Sequence, residues 1–164
     1  EELIDLANGL FSEAVAAISA HHGLIDKFMG DAVMALFNTP LNPQEDHVEQ
    51  AVAAALDVQA RMAAYRSELP SSKLLHFGIG IHTGDAVVGN VGSAQRKDYS
   101  AVGDVVNLCK RLQELAGADQ IIISRRVYER ICDYALVESL APVKLRGRKA
   151  REEVYRLLDA TKGI

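Results

Sequence analysis

The sequence predicts a single α+β domain over residues 1–164, with a central, mostly antiparallel sheet and flanking helices. Two observations indicate this class: helix-like and strand-like segments are intermixed along the chain, and a short turn joins two of the strands as a hairpin. The 164 residues and the 49% hydrophobic content are enough to build one sizeable core. No repeat, linker or low-complexity segment divides the sequence.

The first half of the chain predicts two helices with a hairpin between them. An apolar stripe at helical spacing starts at Leu3 without a capping residue ahead of it, so we expect the chain to begin partway through a longer protein. Two apolar runs flank the turn at Gly30, and chain-breaking residues follow them, which is typical of a β-hairpin. From about residue 43 to residue 69 the apolar residues recur at the spacing of an amphipathic helix.

The second half alternates strands with helices. The stretch "LLHFGIGIHTGDAVVGNVGS" mixes β-branched residues with glycines, which is typical of strands whose backbone comes close to another group. The stretch "YSAVGDVVNLCKRLQELAG" passes from a strand into a helix, with Asp104 as the candidate N-cap and Gly117 as the stop. The remaining residues predict a short helix near Arg125 to Cys132 and several short strands.

Composition and charge narrow the classes of function. The net charge is −4 and no block of basic residues stands out, so the sequence does not favour nucleic-acid binding. The two cysteines lack metal-ligand spacing, which indicates a reducing compartment, and we expect a cytoplasmic location. No unbroken apolar run approaches the roughly 18 residues of a membrane span, so we expect a soluble chain without membrane contact.

Charged and polar residues in apolar surroundings are the candidates for function. Lys27 and Asp31 bracket the tip of the hairpin "IDKFMGDAVMALF", whose other residues are mostly apolar. Asn107 and Arg111 lie at i and i+4 on one face of the helix near Asp104, apart from its apolar stripe. That face is therefore free to line a cleft.

Each of these residues also has an ordinary structural explanation. A lysine near a hairpin end extends to water, an aspartate after a glycine is common in turns, and Arg111 can pair with Glu114 at i+3. The glycines do not complete a dinucleotide-binding pattern or a P-loop, since Thr83 and Asn90 stand at required positions. No single residue therefore identifies the function.

Three motifs taken together resemble a known family. "IDKFMGDAVMALF", "FGIGIHTGDAVVGNVGS" and "DYSAVGDVVNLCKRL" resemble, in order and spacing, the central motifs of the class III adenylate and guanylate cyclase catalytic domain. "KLRGRKAREEVYRLL" looks like the closing strands of that domain, so the likeness covers nearly the whole chain. The resemblance implies a ferredoxin-like core and the conversion of ATP to 3′,5′-cyclic AMP and pyrophosphate, as in bacterial-type adenylate cyclases that serve signal transduction.

The resemblance implies catalytic and metal-binding roles for three residues. Asp31 stands at the second of two aspartates that hold a pair of Mg²⁺ or Mn²⁺ ions in the family. Asn107 matches the residue that orients the ribose, and Arg111 matches the residue that stabilises charge at the reacting phosphate. These residue types suit the reaction, because hard cations prefer carboxylates and a guanidinium matches phosphate oxygens.

The resemblance also implies which residues contact the substrate ATP. Lys27 stands where ATP-using cyclases keep the lysine that reads the adenine edge, and Ser100 falls at the second base-reading position. Lys27 can donate to adenine N1 and Ser100 can accept from the exocyclic amine, whereas guanine presents the reverse pattern. Arg146, in "KLRG", lies near the family's basic contact to the outer phosphates, and this match is loose.

Two features of the family bear on the complete enzyme. Its catalytic clefts lie between two domains packed head to tail, so one chain with both sets of residues implies a homodimer with two equivalent sites. Its first strand, which carries the first metal aspartate, has no counterpart in this sequence, and neither Asp5 nor Asp26 replaces it. We therefore expect the 164-residue chain to lack that strand and to be folded but nearly or wholly inactive.

Two alternatives stay open at this point. One is a degenerate cyclase-like module that binds nucleotide or dimerises without turnover. The other is a different nucleotidyl-transferring relative, such as a diguanylate cyclase, although the Gly-Gly-Asp/Glu-Glu-Phe hairpin of that group is absent. The sequence does not indicate a regulator, and further regulatory domains in the same chain are possible.

Overall fold

The computed structural model describes residues 2–70, 74–145 and 147–161. They form four helices, α1 (Glu2–Ala20), α2 (His47–Ser67), α3 (Asp104–Leu115) and α4 (Arg125–Ile131). The first five strands are β1 (Leu24–Met29), β2 (Ala32–Leu36), β3 (Ile79–Ile81), β4 (Val87–Gly92) and β5 (Lys97–Val102). The others are β6 (Ile121–Ser124), β7 (Ala135–Ser139), β8 (Val143–Lys144), β9 (Arg151–Glu152) and β10 (Val154–Ala160). Helices and strands are intermixed, which confirms the predicted α+β class.

The chain divides into two compact units. The first consists of Glu1–Leu75 and Val88–Ala101, and the second consists of His76–Val87 and Val102–Ile164. The prediction of a single domain over residues 1–164 stays a prediction.

The first unit contains two packed helices and two hairpins. Helices α1 and α2 contact each other, and β1 lies against α1, where the rings of Phe11 and Phe28 meet edge to face with 5.6 Å between their centroids. Strands β1 and β2 form the predicted hairpin, and β4 pairs with β5. The hairpin turn passes through Gly30 with a φ of 62°, a conformation that glycine adopts without steric cost. The buried residues of the two helices are mainly aliphatic: Leu6, Leu10, Ala14, Ala17, Ile18, Val48, Val52, Ala54, Ala55, Val58 and Met62.

Helix α1 is also long and apolar enough, by length and composition, to cross a membrane. Five of its residues are buried in the protein, and the core helix of a compact domain passes the same test. By themselves, length and composition therefore do not show that α1 spans a membrane.

The second unit is built around a four-stranded sheet with the strand order β3-β6-β10-β7. Strand β3 runs parallel to β6, whereas β10 is antiparallel to both β6 and β7, so the sheet is mostly antiparallel as predicted. Helices α3 and α4 both pack on β6, which explains why the run Ile121–Ile123 is fully buried. One core cluster joins α3 to this sheet, and its members are Leu108, Leu112, Ile122, Leu145 and Val154.

Gly80 of β3 sets how closely α3 approaches the sheet. A Cβ atom at this position would lie 2.4 Å from the backbone nitrogen of Gln113 and 2.7 Å from the carbonyl oxygen of Cys109. A larger residue does not fit unless the helix moves. The close backbone approach that the glycines of this segment predict is thus present at Gly80, and it positions the helix that carries the candidate catalytic residues.

The start of α3 differs from the prediction. Asp104 is the first residue of the helix and Gly103 is its N-cap, so the expectation that Asp104 caps the helix is wrong. Gly103 has a φ of 141°, which side-chain-bearing residues rarely adopt, and the carboxylate of Asp104 pairs instead with Arg148. The helix ends at Leu115, two residues before the predicted stop at Gly117.

Candidate active site

Lys27 lies in β1 close to the β1–β2 turn, Asp31 lies in that turn, and both are exposed. Antiparallel pairing up to Met29 opposite Ala32 leaves only two residues in the turn, so both charged side chains stay near the end of the hairpin. Among the described residues Asp31 makes no hydrogen bond or ion pair. The structure therefore leaves a carboxylate available at the place predicted for a metal ligand.

Ser100 and Lys27 are connected through a residue that the sequence did not single out for function. The side chain of Asp26 is fully buried, and its Oδ2 atom accepts a hydrogen bond of 2.8 Å from the hydroxyl of Ser100 in β5. The Oδ1 atom of the same carboxylate lies 4.0 Å from Nζ of Lys27. The two predicted base-reading residues thus flank one buried carboxylate.

Ser100 itself is only 2% exposed. Lys27 is more accessible, with 45% of its side chain exposed. A base that contacts the Ser100 hydroxyl therefore has to displace some of the groups that cover it in this chain.

Asn107 and Arg111 are exposed on one face of α3 and line the same cavity of about 410 Å³. Arg111 donates a hydrogen bond of 2.9 Å to Glu114, so the ordinary i,i+3 pair considered for this residue does form. Both partners are nearly half exposed, and exposed pairs of this kind contribute little free energy. The guanidinium can therefore exchange Glu114 for a phosphate at small cost.

Arg148 lines the same cavity and was not predicted. It forms ion pairs with Asp104 and Glu152, and the hydrogen bond to Glu152 is the main cause that raises the pKa of the Arg148 guanidinium. Arg146, the predicted phosphate contact, lies outside the described residues, and its role stays a prediction. The only signal for Arg148 in the sequence is the basic run "RGRK", in which either arginine could have been chosen.

A second cavity of about 480 Å³ in the same unit shares Asp104 and Arg148 with the first. His82 lines it and forms a hydrogen bond of 2.8 Å with the hydroxyl of Ser124. Burial lowers the pKa of His82 to about 4, with a further contribution from the positive charge of Arg126. His82 is therefore neutral near pH 7 and offers no positive charge to a phosphate.

The described residues supply only part of a metal site. Within residues 2–70, 74–145 and 147–161 no group of three or more His, Cys, Asp or Glu side chains could hold a metal ion. Proteins often bind Mg²⁺ through one or two carboxylates, with waters and substrate phosphates as the other ligands. The free carboxylate of Asp31 fits one such ligand.

Known proteins are similar to this chain both in sequence and in the arrangement of their helices and strands. Residues 1–159 match the family described as "Adenylate and Guanylate cyclase catalytic domain". The chain belongs to this family. Adenylate cyclase 1 of Rhizobium meliloti (strain 1021) is 36% identical to this cyclase domain over 159 residues, which are 94% of this chain and 23% of that protein. The domain spans less than a quarter of the length of the curated relatives that it matches.

Solved cyclase structures have the fold of this domain. The guanylyl cyclase Cya2 superposes with a TM-score of 0.91 at 32% identity, covering 99% of this chain and 83% of that one. The adenylyl cyclase CyaB from P. aeruginosa superposes with a TM-score of 0.84 at 29% identity, covering 100% of this chain and 86% of that one. The predicted class III cyclase fold is confirmed. Because these neighbours include a guanylyl and an adenylyl cyclase, the likeness does not identify the base that this domain uses.

The predicted site residues of the cyclase domain fall into two groups. Lys27, Asp31 and Ser100 belong to the first compact unit, whereas Asn107 and Arg111 belong to the second. Within the first group the structure connects Lys27 to Ser100 through Asp26, and within the second it places both residues on one cavity. The individual roles of these residues stay predictions.

Proposed function

We propose that the chain is the catalytic domain of an adenylate cyclase, which converts ATP to 3′,5′-cyclic AMP and pyrophosphate in the cytoplasm. The observation that supports this choice is that Ser100 donates a hydrogen bond to one oxygen of the buried Asp26 carboxylate while the Lys27 ammonium lies 4.0 Å from the other. A lysine ammonium only donates hydrogen bonds, and a serine hydroxyl can accept them. Adenine presents an acceptor at N1 beside a donor amine at C6, so the pair matches adenine, whereas guanine carries an acceptor at O6.

The relatives are compatible with this choice. The Rhizobium protein and CyaB are both named as adenylate cyclases, at 36% and 29% identity. Cya2 is named as a guanylyl cyclase at 32% identity, so sequence similarity alone does not decide between the two nucleotides. The base-reading residues of this chain carry the proposal.

In the proposed reaction the ribose 3′-oxygen attacks the α-phosphorus in line. A bond forms between these two atoms, the bond from the α-phosphorus to the bridging oxygen of the β-phosphate breaks, pyrophosphate leaves with that electron pair, and the hydroxyl proton passes to solvent. Asn107 orients the ribose, and the planar guanidinium of Arg111 offsets negative charge that develops on the phosphate oxygens. Arg148 is paired with two carboxylates and Arg111 with one exposed carboxylate, so Arg111 is the more available of these two guanidinium groups.

Asp31 is the residue that would hold a divalent cation, Mg²⁺ or Mn²⁺. Two such ions per site, as in the family, supply neutralisation of phosphate charge and activation of the 3′-hydroxyl when bound. Asp31 is exposed and makes no hydrogen bond or ion pair with the described part of the chain, so its oxygens are available. Substrate phosphates and a further carboxylate have to complete the ligand sets.

The substrate test measures cyclic AMP and cyclic GMP production by the full-length protein with Mg²⁺ and with Mn²⁺. Two discriminating contacts at ~1–3 kcal/mol each should give ATP a kcat/KM at least about ten-fold above that of GTP. Lys27→Glu should relax or reverse the preference, because a carboxylate accepts from the guanine N1 donor. Lys97→Glu, the same charge change at another exposed lysine of the first unit, is the control.

Each outcome of this test is informative. Equal kcat/KM values for ATP and GTP in the unmodified protein would refute the base-reading assignment. Nucleotide binding without any cyclic product would favour the alternative of a cyclase-like binding module. An equal change in Lys27→Glu and Lys97→Glu would show that net charge, not base contact, sets the preference.

We further propose that two copies assemble head to tail, so that Asp31 of one copy serves Asn107 and Arg111 of the other. A mixture of Arg111→Ala and Asp31→Ala chains should then regain activity, because each heterodimer contains one intact site. Either variant alone should remain nearly inactive. A mixture that gains nothing over its parents would argue against shared sites.

A further inference from the structure

We propose that Asp26 is a positioning residue that sets nucleotide selectivity, because it holds the Ser100 hydroxyl as a hydrogen-bond acceptor. The inference rests on the proposed function, since it concerns the same base-reading pair. It assigns a role to a residue that the sequence analysis placed outside the metal site.

Asp26 lies at an irregular point of strand β1. Ile25 is opposite Ala35 and Lys27 is opposite Met34, so Asp26 has no partner residue of its own in β2. An extra residue of this kind is a β-bulge, which redirects a side chain and is frequent beside active sites. Here the redirected side chain is fully buried and reaches Ser100, which lies 74 positions further along the chain.

The direction of the Ser100–Asp26 hydrogen bond decides what Ser100 can offer to a base. A serine hydroxyl has one hydrogen, and a carboxylate has none to give, so Ser100 donates and Asp26 accepts. The other acceptor near the hydroxyl, the carbonyl oxygen of Ala101, is 3.5 Å away, compared with 2.8 Å for Asp26. With its hydrogen committed to Asp26, Ser100 can accept from the adenine amine but cannot donate to guanine O6.

The second oxygen of Asp26 acts on Lys27. Oδ1 is buried, has no hydrogen-bond partner among the described residues and lies 4.0 Å from the Lys27 ammonium. That separation is too long for a hydrogen bond, so the carboxylate acts on the ammonium through the attraction of opposite charges. One carboxylate therefore lies beside the donor at Lys27 and holds Ser100 as an acceptor, and this donor and acceptor together match adenine.

Removal of the carboxylate should affect selectivity more than affinity for ATP. In Asp26→Ala the hydroxyl of Ser100 is free to rotate and can donate to guanine O6. We expect the ATP-to-GTP affinity ratio to fall about ten-fold, mainly because GTP binds better. Asp26→Asn should lower the ratio by a smaller factor, because an amide can either accept from Ser100 or donate to it.

The experiment measures binding of 3′-deoxy-ATP and 3′-deoxy-GTP, which lack the attacking hydroxyl, to the full-length protein. The variants are Asp26→Ala, Asp26→Asn, Ser100→Ala and the double variant of Asp26→Ala with Ser100→Ala, each checked for folding by thermal unfolding. If Asp26 acts through Ser100, then Asp26→Ala changes the ratio only when Ser100 is present. A purely structural role would instead weaken binding of both nucleotides equally and leave the ratio unchanged.

The outcomes separate this inference from the proposed function. An unmodified protein that prefers 3′-deoxy-ATP, with the same ratio in Asp26→Ala, overturns the role of Asp26 and leaves the adenylate cyclase proposal standing. An unmodified protein without that preference overturns both. An equal fall of the ratio with and without Ser100 shows direct action of Asp26 on the base or on Lys27 and overturns positioning through Ser100. If Asp26→Ala does not fold, the isosteric Asp26→Asn decides, and an unchanged ratio in it overturns the inference.

Discussion

Replacement of Arg111 by alanine should reduce catalysis strongly while leaving the fold almost unaffected. In the full-length protein we expect kcat to fall by roughly 10²–10³ with little change in KM, because a preorganised cation acts mainly on transition-state charge. That loss corresponds to about 2.7–4 kcal/mol of transition-state stabilisation. In the folded chain Arg111 has its hydrogen bond of 2.9 Å to Glu114, with both side chains nearly half exposed. Such a pair contributes at most about 1 kcal/mol to folding, so the kinetic effect should exceed the effect on stability several-fold.

Glu114→Ala is the matched control for this experiment. It removes the same ion pair but leaves the guanidinium in the cavity lined by Asn107 and Arg148. We expect the same small change in stability as in Arg111→Ala and a kcat within about two-fold of the unmodified value. Because Arg111 acts mainly on transition-state charge, KM should also stay close to the unmodified value.

The assay combines cyclic AMP formation over a range of ATP concentrations with thermal unfolding of the same samples. Wild-type kcat in Arg111→Ala would refute the role of Arg111 in the transition state. A loss in Glu114→Ala as large as that in Arg111→Ala would show that the ion pair, and not the free cation, is what the enzyme needs.

Three further predictions concern stability and reactivity. The pKa of His82 in the folded chain is about 4, below the unfolded value of 6.5, so its contribution to stability is complete above pH 6.5 and is lost as the pH falls towards 4. Allowing for the partial exposure of His82, the free energy of unfolding measured in urea should fall by about 1–2 kcal/mol over this pH range. An equal fall in His82→Gln, which has no imidazole to titrate, would contradict this prediction. Gly80→Ala should destabilise the chain by about 1–3 kcal/mol through overpacking against α3, whereas Gly89→Ala, whose Cβ would meet nothing within 4 Å, should not. A thiol reagent should label the exposed Cys132 rapidly and spare Cys109, because burial raises the pKa of the Cys109 thiol; equal rates would contradict this.

Most of the fold follows from local patterns in the sequence. The hairpin at Gly30, the amphipathic helix α2 and the apolar stripe of α3 depend on turn chemistry and residue spacing, which act over a few positions. The N-cap of α3 was mispredicted because Asp104 is usually a good cap, whereas here its carboxylate pairs with Arg148, 44 positions away. Of the leucines of α3, Leu108 and Leu112 belong to the core cluster, whereas Leu115 at the end of the helix is 43% exposed.

The candidate site was predictable only where a residue matches a motif. Lys27, Asn107 and Arg111 were chosen as candidates in this way, and the structure places the last two on one cavity as their spacing predicts. Asp26 and Arg148 were missed because their roles depend on partners far along the chain. A bulge and a long-range ion pair leave no periodic signal in a sequence.

The position of Asp26 is difficult to explain by stability alone. A buried carboxylate loses its hydration, and one of its oxygens has no hydrogen-bond partner among the described residues. A buried ion pair can often be replaced as a whole by apolar residues of similar volume without loss of stability, so burial of a charge is weak evidence for a stabilising role. An aspartate in a strand whose only other polar residue is Lys27 is therefore better explained by its effect on Lys27 and Ser100, the two residues proposed to read the base. Because the same carboxylate contacts the hydroxyl of Ser100 and lies near the ammonium of Lys27, nucleotide choice depends on a residue that the nucleotide itself need not touch.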